Sequence, residues 1–323
     1  MNKDIVYKNI CDMIYGDFFI TKYTELTKDM NLEQSDDEET KDYLENVSAN
    51  LFNSIVIGCQ LFDDRDRIIE FVDLFSNYLD PEFLEMALPR FGISKQEALE
   101  RLKHGFGLHF TTSNICQEIL MNGKLIGYGN NAMFTDEEDK IIEKASSLQR
   151  RNDPEAEKKL NYLYRGWGTG VSSYGSTTNG FWMYHTPESL SFLFGNISNR
   201  DKEKAMIHVS NCISTLDEED KKEILEVMSN IYDRLIGNEQ EVGCILIDRD
   251  SLKYDVDYYY NNGESVPVER RPYSKSFNDL VSNDSKISND IDASYLKFLK
   301  IPTVIELERR KQELLNNSLE HNM

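Results

Sequence analysis

The sequence predicts an α+β protein, in which a helical N-terminal region precedes a domain with a mostly antiparallel sheet. Three observations predict this class. Helical periodicity and helix caps run through residues 1 to about 105. Beyond this point strand-like runs alternate with helices, and several strands follow one another near the C-terminus. Two of these late runs meet at Asn262 and Gly263, a dipeptide typical of the tight turn between antiparallel strands.

The composition favours a globular protein of the cytoplasm. The 323 residues, of which 40% are hydrophobic, can bury a sizeable core. No apolar run approaches the roughly 18 residues of a membrane span, and the first residues lack the basic and apolar regions of a signal peptide. The five cysteines are scattered without a CxxC pair, which favours reduced thiols. We therefore expect a cytoplasmic location and no membrane contact.

The charge balance bears on the partners of the protein. The chain has 57 acidic and 36 basic residues, and its formal net charge is −21. A field of this sign repels phosphate groups and disfavours extended contact with a nucleic-acid backbone. We therefore expect a protein or small-molecule partner in preference to duplex nucleic acid.

The first third of the chain is predicted to be helical. Helical patterns cover residues 50–62 and 65–79, and Ser94 with Glu97 forms a capping box that starts a further helix. The acidic segment at residues 33–42 is expected to be an exposed loop or a helix start. Nothing in this third is typical of a catalytic site.

The change of pattern near residue 105 predicts how the chain is divided. We expect a helical N-terminal region at residues 1–105 and a separate domain at residues 106–300. Residues 301–323 are predicted to form a C-terminal helix and tail, because an amphipathic pattern follows Pro302. This last helix is a candidate contact for an oligomer or another partner.

The domain is predicted to begin with a strand that leads directly into a helix. Residues 108–112, LHFTT, alternate as a strand does, and Thr112 or Ser113 can then cap a helix. Gly123 follows that helix at the position where a positive φ angle is needed. His109 therefore lies on a strand that feeds a helix.

Further helix starts are predicted at Thr135, which forms a capping box with Glu138, and at Asn152 or Asp153 before Pro154. A glycine-rich stretch follows at residues 166–180, but its spacing matches neither a dinucleotide-binding fingerprint nor a phosphate-binding loop. An aromatic strand is expected at residues 181–185.

The C-terminal part is predicted to contain one long helix and then several strands. The helix is expected to start at a capping box of Thr215 and Glu218 and to end at Gly237. The strands are expected at residues 242–248, 253–261 and 264–271.

Three short motifs, in the expected order, resemble the catalytic domain of ADP-ribosyltransferases. His109 in LHFTT matches the first-strand histidine of the branch with a His, Tyr, Glu triad. That branch includes poly(ADP-ribose) polymerases, RNA 2'-phosphotransferases and DarT-type toxins. Tyr184 in GFWMYHTPESLSFL matches its strand tyrosine, followed by a helix with Ser189, and Glu264 in NGESVPV matches its glutamate. The resemblance covers about residues 105–282.

The resemblance implies a split sheet of ADP-ribosyltransferase type and NAD as co-substrate. His109 would hydrogen-bond a ribose hydroxyl, while the strand backbone at Phe110, with Thr111 nearby, would recognise the carboxamide. Tyr184 would stack on nicotinamide, and Ser189 would also belong to the cofactor site. The implied activity is transfer of ADP-ribose to a macromolecular or small-molecule acceptor, and a toxin or defence role is implied by analogy.

The catalytic carboxylate has two candidates. A carboxylate near the ribose stabilises the oxocarbenium-like state that forms when nicotinamide leaves. Glu264 is preferred by the motif, but Glu269 lies five residues further along the same predicted strand. Trp182 shares its predicted strand face with Tyr184 and competes for the stacking role. The arginine that arginine-modifying toxins carry on the first strand is replaced here by His109.

Two other classes of function are alternatives to the transferase. A metal hydrolase could draw on His104, His109, His185 and His208, together with nearby acidic residues. No HExxH or comparable spacing supports it, so we expect no metal. The second class is a non-catalytic protein that has an ADP-ribosyltransferase-like fold and binds a partner, because a fold by itself does not guarantee activity.

Overall fold

The computed structural model describes most of the chain, with gaps. The described residues are 2–30, 38–125, 135–156, 181–183, 202–235, 242–252, 254–255, 271–272, 277–282, 285–287 and 290–320. Within them the protein mixes helices with small sheets, and every strand pair is antiparallel. The prediction of an α+β class is confirmed at this level.

The N-terminal region is helical, as predicted. Its helices are α1 (Lys3–Tyr15), α2 (Asp17–Leu26), α3 (Glu38–Leu61), α4 (Arg65–Phe75), α5 (Pro81–Ala87) and α6 (Lys95–Lys103). The predicted cap at Ser94 is confirmed, because its hydroxyl accepts a 3.2 Å hydrogen bond from the Glu97 amide. Part of the acidic segment belongs to α3, and its residues 33–37 lie outside the described residues.

The rest of the chain alternates strands and helices. In order these are β1 (Phe106–Thr112), α7 (Ser113–Met121), β2 (Lys124–Leu125), α8 (Asp136–Asn152), β3 (Phe181–Met183), α9 (Lys202–Cys212), α10 (Glu218–Leu235), β4 (Val242–Asp248), β5 (Tyr254–Asp255), β6 (Arg271–Pro272), α11 (Phe277–Ser282), β7 (Ser285–Ile287), β8 (Ile291–Asp292), β9 (Leu296–Ile301) and α12 (Val304–Glu320). No described helix has both the length and the apolar character needed to cross a membrane.

Several local predictions in this part are confirmed. Thr135 and Glu138 form a reciprocal capping box, in which each backbone amide donates to the other side chain, at 2.7 and 3.2 Å. Asp153 caps the next turn by accepting from the amides of Glu155 and Ala156. Gly123 has a φ angle of +75° just after α7.

The predicted cap of α10 is wrong. Asp217 caps this helix by accepting a 2.9 Å hydrogen bond from the Asp220 amide, and the helix begins at the next residue. Thr215 instead lies in the preceding turn, which is closed by a 3.0 Å hydrogen bond from the Leu216 amide to the Ile213 carbonyl. That turn separates α9 from α10.

The main sheet has three strands in the order β1, β4, β9. β4 is central and almost fully buried, because it pairs along its whole length with β1 on one side and over residues 242–247 with β9 on the other. His109 is paired with Ile245, and Thr111 with Gly243.

One face of this sheet packs on the N-terminal helices. Phe106, Leu108 and Phe110 point into a single buried cluster that also contains apolar residues of α1 to α6 and of α12. The rings of Phe52 on α3 and Phe110 on β1 meet edge to face, with centroids 6.0 Å apart. The hydrophobic core is therefore continuous across residue 105, and the division of the chain at that residue stays a prediction.

The other face of the sheet packs on a second cluster. Ile245 and Ile247 of β4 contribute to it, together with Cys116 and Ile119 of α7 and with the apolar stripe of α10. That stripe contains Ile224, Met228 and Ile231. The sheet is thus the middle layer of three, with helices on both faces.

The outer edge of β9 is covered by α1. The Tyr7 hydroxyl donates a 2.8 Å hydrogen bond to the Phe298 carbonyl, and the Tyr15 hydroxyl accepts one of 2.8 Å from the Lys300 amide. An uncovered strand edge is a template for pairing with another chain. These two tyrosines therefore protect the edge as well as fixing the position of α1.

Candidate functional site

The candidate site is built on β1, where strand alternation separates the side chains into two sets. Phe110 faces the N-terminal helices, whereas His109 and Thr111 face the opposite side. His109 is 6% exposed and Thr111 is fully buried. The prediction that His109 lies on a strand feeding directly into a helix is confirmed, since α7 begins at Ser113.

The hydrogen-bond register decides which backbone groups of β1 point away from β4. The Arg249 amide donates to the Gly105 carbonyl at 3.0 Å, in register with the β1–β4 pairing. Odd-numbered residues of β1 therefore bond to β4, and even-numbered ones point the other way. The orientation of the Phe106 amide fits this register, because it donates a 2.6 Å hydrogen bond to Gln60 Oε1 and not to β4. It follows that the amide and carbonyl of Phe110 point away from β4.

Gly243 of β4 brings the start of α7 onto the sheet beside Thr111. A Cβ atom at Gly243 would lie 2.5 Å from Cys116 Sγ and 3.2 Å from Ser113 Cα. Only a residue without a side chain lets the first turn of α7 approach β4 so closely. The turn that joins β1 to α7 is therefore fixed by tight packing.

Two buried thiols, those of Cys116 and Cys244, lie near His109 and Thr111. Burial raises the pKa of the Cys116 thiol. Burial also raises the pKa of Cys244, although a hydrogen bond from the His109 backbone acts in the opposite direction. Neither thiol is therefore ionised near neutral pH. Within the described part of the chain, the Thr111 hydroxyl is buried without a hydrogen-bond partner.

The structure brings together some of the predicted site residues. His109, Phe110 and Thr111 are consecutive on β1, and β3 lies next to β1. Tyr184 directly follows β3 in the chain. Tyr184 and three other candidates lie outside the described residues, so their roles stay predictions. These three are Ser189, Glu264 and Glu269.

The histidines of the metal-hydrolase alternative are not brought together where the structure describes them. His104 lies at the end of α6 and its Nδ1 is 2.6 Å from Asp250 Oδ1, whereas His208 lies on α9. Among the described residues no group of three or more His, Cys, Asp or Glu side chains could hold a metal ion. His185 lies outside the described residues.

Sequence reasoning missed two residues that shape the site. Gly243 could have been noticed, because a glycine within an apolar strand often marks a close backbone approach. Gln60 gives a weaker signal, as a polar residue in the otherwise apolar run SIVIGCQLF. Its partner is 46 residues away in the chain, and no local pattern predicts that contact.

The chain was compared with protein-family models, with curated proteins and with solved structures, and it matches none of them.

Proposed function

We propose that this protein is an NAD-dependent ADP-ribosyltransferase, a glycosyltransferase that moves ADP-ribose onto a macromolecular or small-molecule acceptor. The observation that carries the proposal is the arrangement of β1. The side chains of His109 and Thr111 share one buried face of the strand. The backbone amide and carbonyl of Phe110 point away from β4, towards the other edge of β1. The three motifs of the resemblance supply the remaining residues.

In this proposal β1 binds the nicotinamide half of NAD. The Phe110 amide donates to the carboxamide oxygen, and its carbonyl accepts from the carboxamide nitrogen. The imidazole of His109 bonds a ribose hydroxyl, and the Thr111 hydroxyl binds beside it. Tyr184 stacks on the nicotinamide ring, and Ser189 lines the same cofactor site.

The proposed reaction breaks the bond between the nicotinamide nitrogen and the ribose carbon C1. Nicotinamide leaves with the bonding electrons, and a positive charge develops on the ribose. The carboxylate of Glu264 or Glu269 stabilises this charge in the transition state. A nucleophile of the acceptor then bonds to C1 and releases its proton, so that no redox partner is needed.

The acceptor is proposed to be a protein or a small molecule. The net charge of −21 disfavours an extended duplex nucleic acid. A toxin or defence effector acting in the cytoplasm fits this chemistry. The contrasting function is a non-catalytic protein that has the same fold and binds a partner.

The experiment that tests the proposal is a measurement of nicotinamide release from NAD, with cell lysate as a source of acceptor. The wild type is compared with His109→Ala, Tyr184→Ala, Glu264→Gln and Glu269→Gln, each checked for folding by circular dichroism. We expect turnover by the wild type and loss of about 100-fold or more in one of the two glutamate variants. Glu313→Gln, on the exposed part of α12, serves as a matched control.

The outcomes separate the two functions. Turnover that depends on His109 and on a single glutamate supports the transferase and assigns the carboxylate. A wild type that neither binds nor cleaves NAD contradicts the proposal and favours the partner-binding protein.

A further inference from the structure

We infer that α3 positions the cofactor-binding edge of β1, and that Gln60 is the residue which holds this edge in place. The inference rests on the proposed function, because the proposed ligand of that edge is NAD. It gives the helical N-terminal region a role in binding NAD.

Gln60 is fixed at both ends of its amide. The side chain is 3% exposed, and its Oε1 atom accepts a 2.6 Å hydrogen bond from the Phe106 amide on β1. Its Nε2 atom donates at 3.2 Å to the Val56 carbonyl one turn earlier on α3. Since Phe106 is the first residue of β1, the side chain ties the start of the strand to the helix.

The neighbouring residue allows this close approach. A Cβ atom at Gly105 would collide with Gln60 Oε1. A glycine at this position therefore lets the glutamine reach the strand, as Gly243 lets α7 reach β4.

Phe52 makes the second contact between α3 and β1. Its ring meets that of Phe110 at an interplanar angle of 66°. Gln60 and Phe52 are eight residues apart, which is about 12 Å along a helix, whereas Phe106 and Phe110 are four residues apart, which is about 13 Å along a strand. The two spacings match, so α3 contacts β1 at both ends of the segment that carries the proposed site.

The hydrogen bond of Gln60 to Phe106 lies on the same edge of β1 as the proposed ligand, NAD. The amides of Phe106, Leu108 and Phe110 all point away from β4, and Gln60 occupies that of Phe106. Phe106 and Phe110 lie on one continuous strand, so we expect a shift of the strand at Phe106 to alter the position of the Phe110 backbone. Gln60 thereby acts on NAD through β1 without contacting it, as a positioning residue.

The hydrogen bond is what distinguishes Gln60 from a residue that merely fills space. A methionine would occupy a similar volume but would leave the buried Phe106 amide unsatisfied. A glutamate would keep the acceptor oxygen. The pair Gln60→Met and Gln60→Glu therefore separates the contribution of the hydrogen bond from that of packing.

The test uses the full chain and combines two measurements, which are steady-state kinetics with NAD and hydrogen exchange of the backbone amides. In Gln60→Met we expect the Phe106 amide to exchange about tenfold faster and KM for NAD to rise about threefold or more, while kcat stays within about twofold. Gln60→Glu keeps the acceptor oxygen but loses the bond to the Val56 carbonyl, so we expect it to slow the exchange of the Phe106 amide relative to Gln60→Met and to reverse only part of the rise in KM. Phe52→Leu should raise KM for NAD without speeding the exchange of the Phe106 amide. Gln96→Met, at an exposed glutamine of α6, should change neither KM nor the exchange rate.

Three results are distinguishable. If the wild type neither binds nor turns over NAD, the proposed function fails. If the wild type uses NAD and Gln60→Met leaves KM unchanged, the present inference alone fails. If Gln60→Met lowers kcat only in proportion to the loss of folded protein, Gln60 is a structural residue and the inference is overturned.

Discussion

The hydroxyl of Tyr23 on α2 donates a 2.8 Å hydrogen bond to the carboxylate of Glu308 on α12, in the protein interior. The same carboxylate is 3.2 Å from the ammonium group of Lys311. Lys311 also donates to the carbonyls of Thr27 and Met30, at 2.8 and 2.7 Å, just after the end of α2. This group of polar side chains fastens the C-terminal helix to the N-terminal region.

Removal of one partner of this buried pair should be strongly destabilising. Lys311 is 1% exposed and Glu308 is 7% exposed, so Lys311→Met leaves a buried carboxylate without its cation. We expect a loss of about 3–5 kcal/mol in the free energy of unfolding, measured by urea denaturation. The double variant Glu308→Gln, Lys311→Met should lose less than Lys311→Met by itself. A double variant that is no more stable than Lys311→Met would contradict the coupling of these two residues.

The stability of the protein should depend on pH through Asp250. Partial burial acts to raise its pKa, but hydrogen bonds from Lys3 and His104 outweigh burial and the pKa is lowered. A carboxylate with a lowered pKa in the folded state stabilises the protein above its unfolded pKa of about 3.9, and this contribution is lost as the pH falls through the folded pKa. The difference in unfolding free energy between wild type and Asp250→Asn should therefore be largest near neutral pH and should shrink in acid.

Urea denaturation at several pH values between about 3 and 7 measures this difference. Asp42→Asn, at an exposed position of α3, provides the control. If the difference between wild type and Asp250→Asn stayed constant over this range, the contacts of Lys3 and His104 with Asp250 would not contribute to stability.

A side chain at position 243 should disturb the junction of β1 and α7. Gly243→Ala places a methyl group 2.5 Å from Cys116 Sγ and 3.1 Å from a ring carbon of Phe298. We expect a loss of about 1–3 kcal/mol. Combination with Cys116→Ala should remove part of that loss, because the sulfur atom is the nearest obstacle. A double-mutant cycle by urea denaturation measures the coupling, and full additivity would contradict the close contact.

The tyrosines that cover β9 should each stabilise the protein through one hydrogen bond. Tyr7→Phe and Tyr15→Phe keep the rings but remove the bonds to Phe298 and Lys300. We expect each variant to lose about 1 kcal/mol in thermal or urea unfolding. Tyr78→Phe, at a tyrosine that is 69% exposed, should be neutral. Equal stabilities for all three variants would contradict the role of these hydroxyls at the strand edge.

Much of the local structure could be predicted from the sequence, because it depends on contacts over a few residues. The caps at Ser94, Thr135 and Asp153 were predicted for this reason, as were the strand at His109 and the left-handed glycine at Gly123. The cap of α10 was predicted two residues too early. Thr215 and Asp217 both suit a helix cap, and the packing of the preceding turn decides between them.

The candidate site was predicted in part. The positions of His109, Phe110 and Thr111 on one strand follow from the alternation of apolar residues. The orientation of the Phe110 backbone does not, because it depends on which edge of β1 pairs with β4, a strand more than 130 residues later in the chain. The contact of Gln60 with Phe106 is equally remote from any local pattern.

The sequence by itself determined the caps at Ser94 and Thr135, which faces are apolar, and which strand carries the histidine. These properties follow from periodicity and capping, which act between near neighbours in the chain. The tertiary structure decided that the N-terminal helices and the sheet share one core and that α3 spans the site strand. Both depend on pairing and packing between segments far apart in the chain, and such contacts have no signature in a single stretch of sequence.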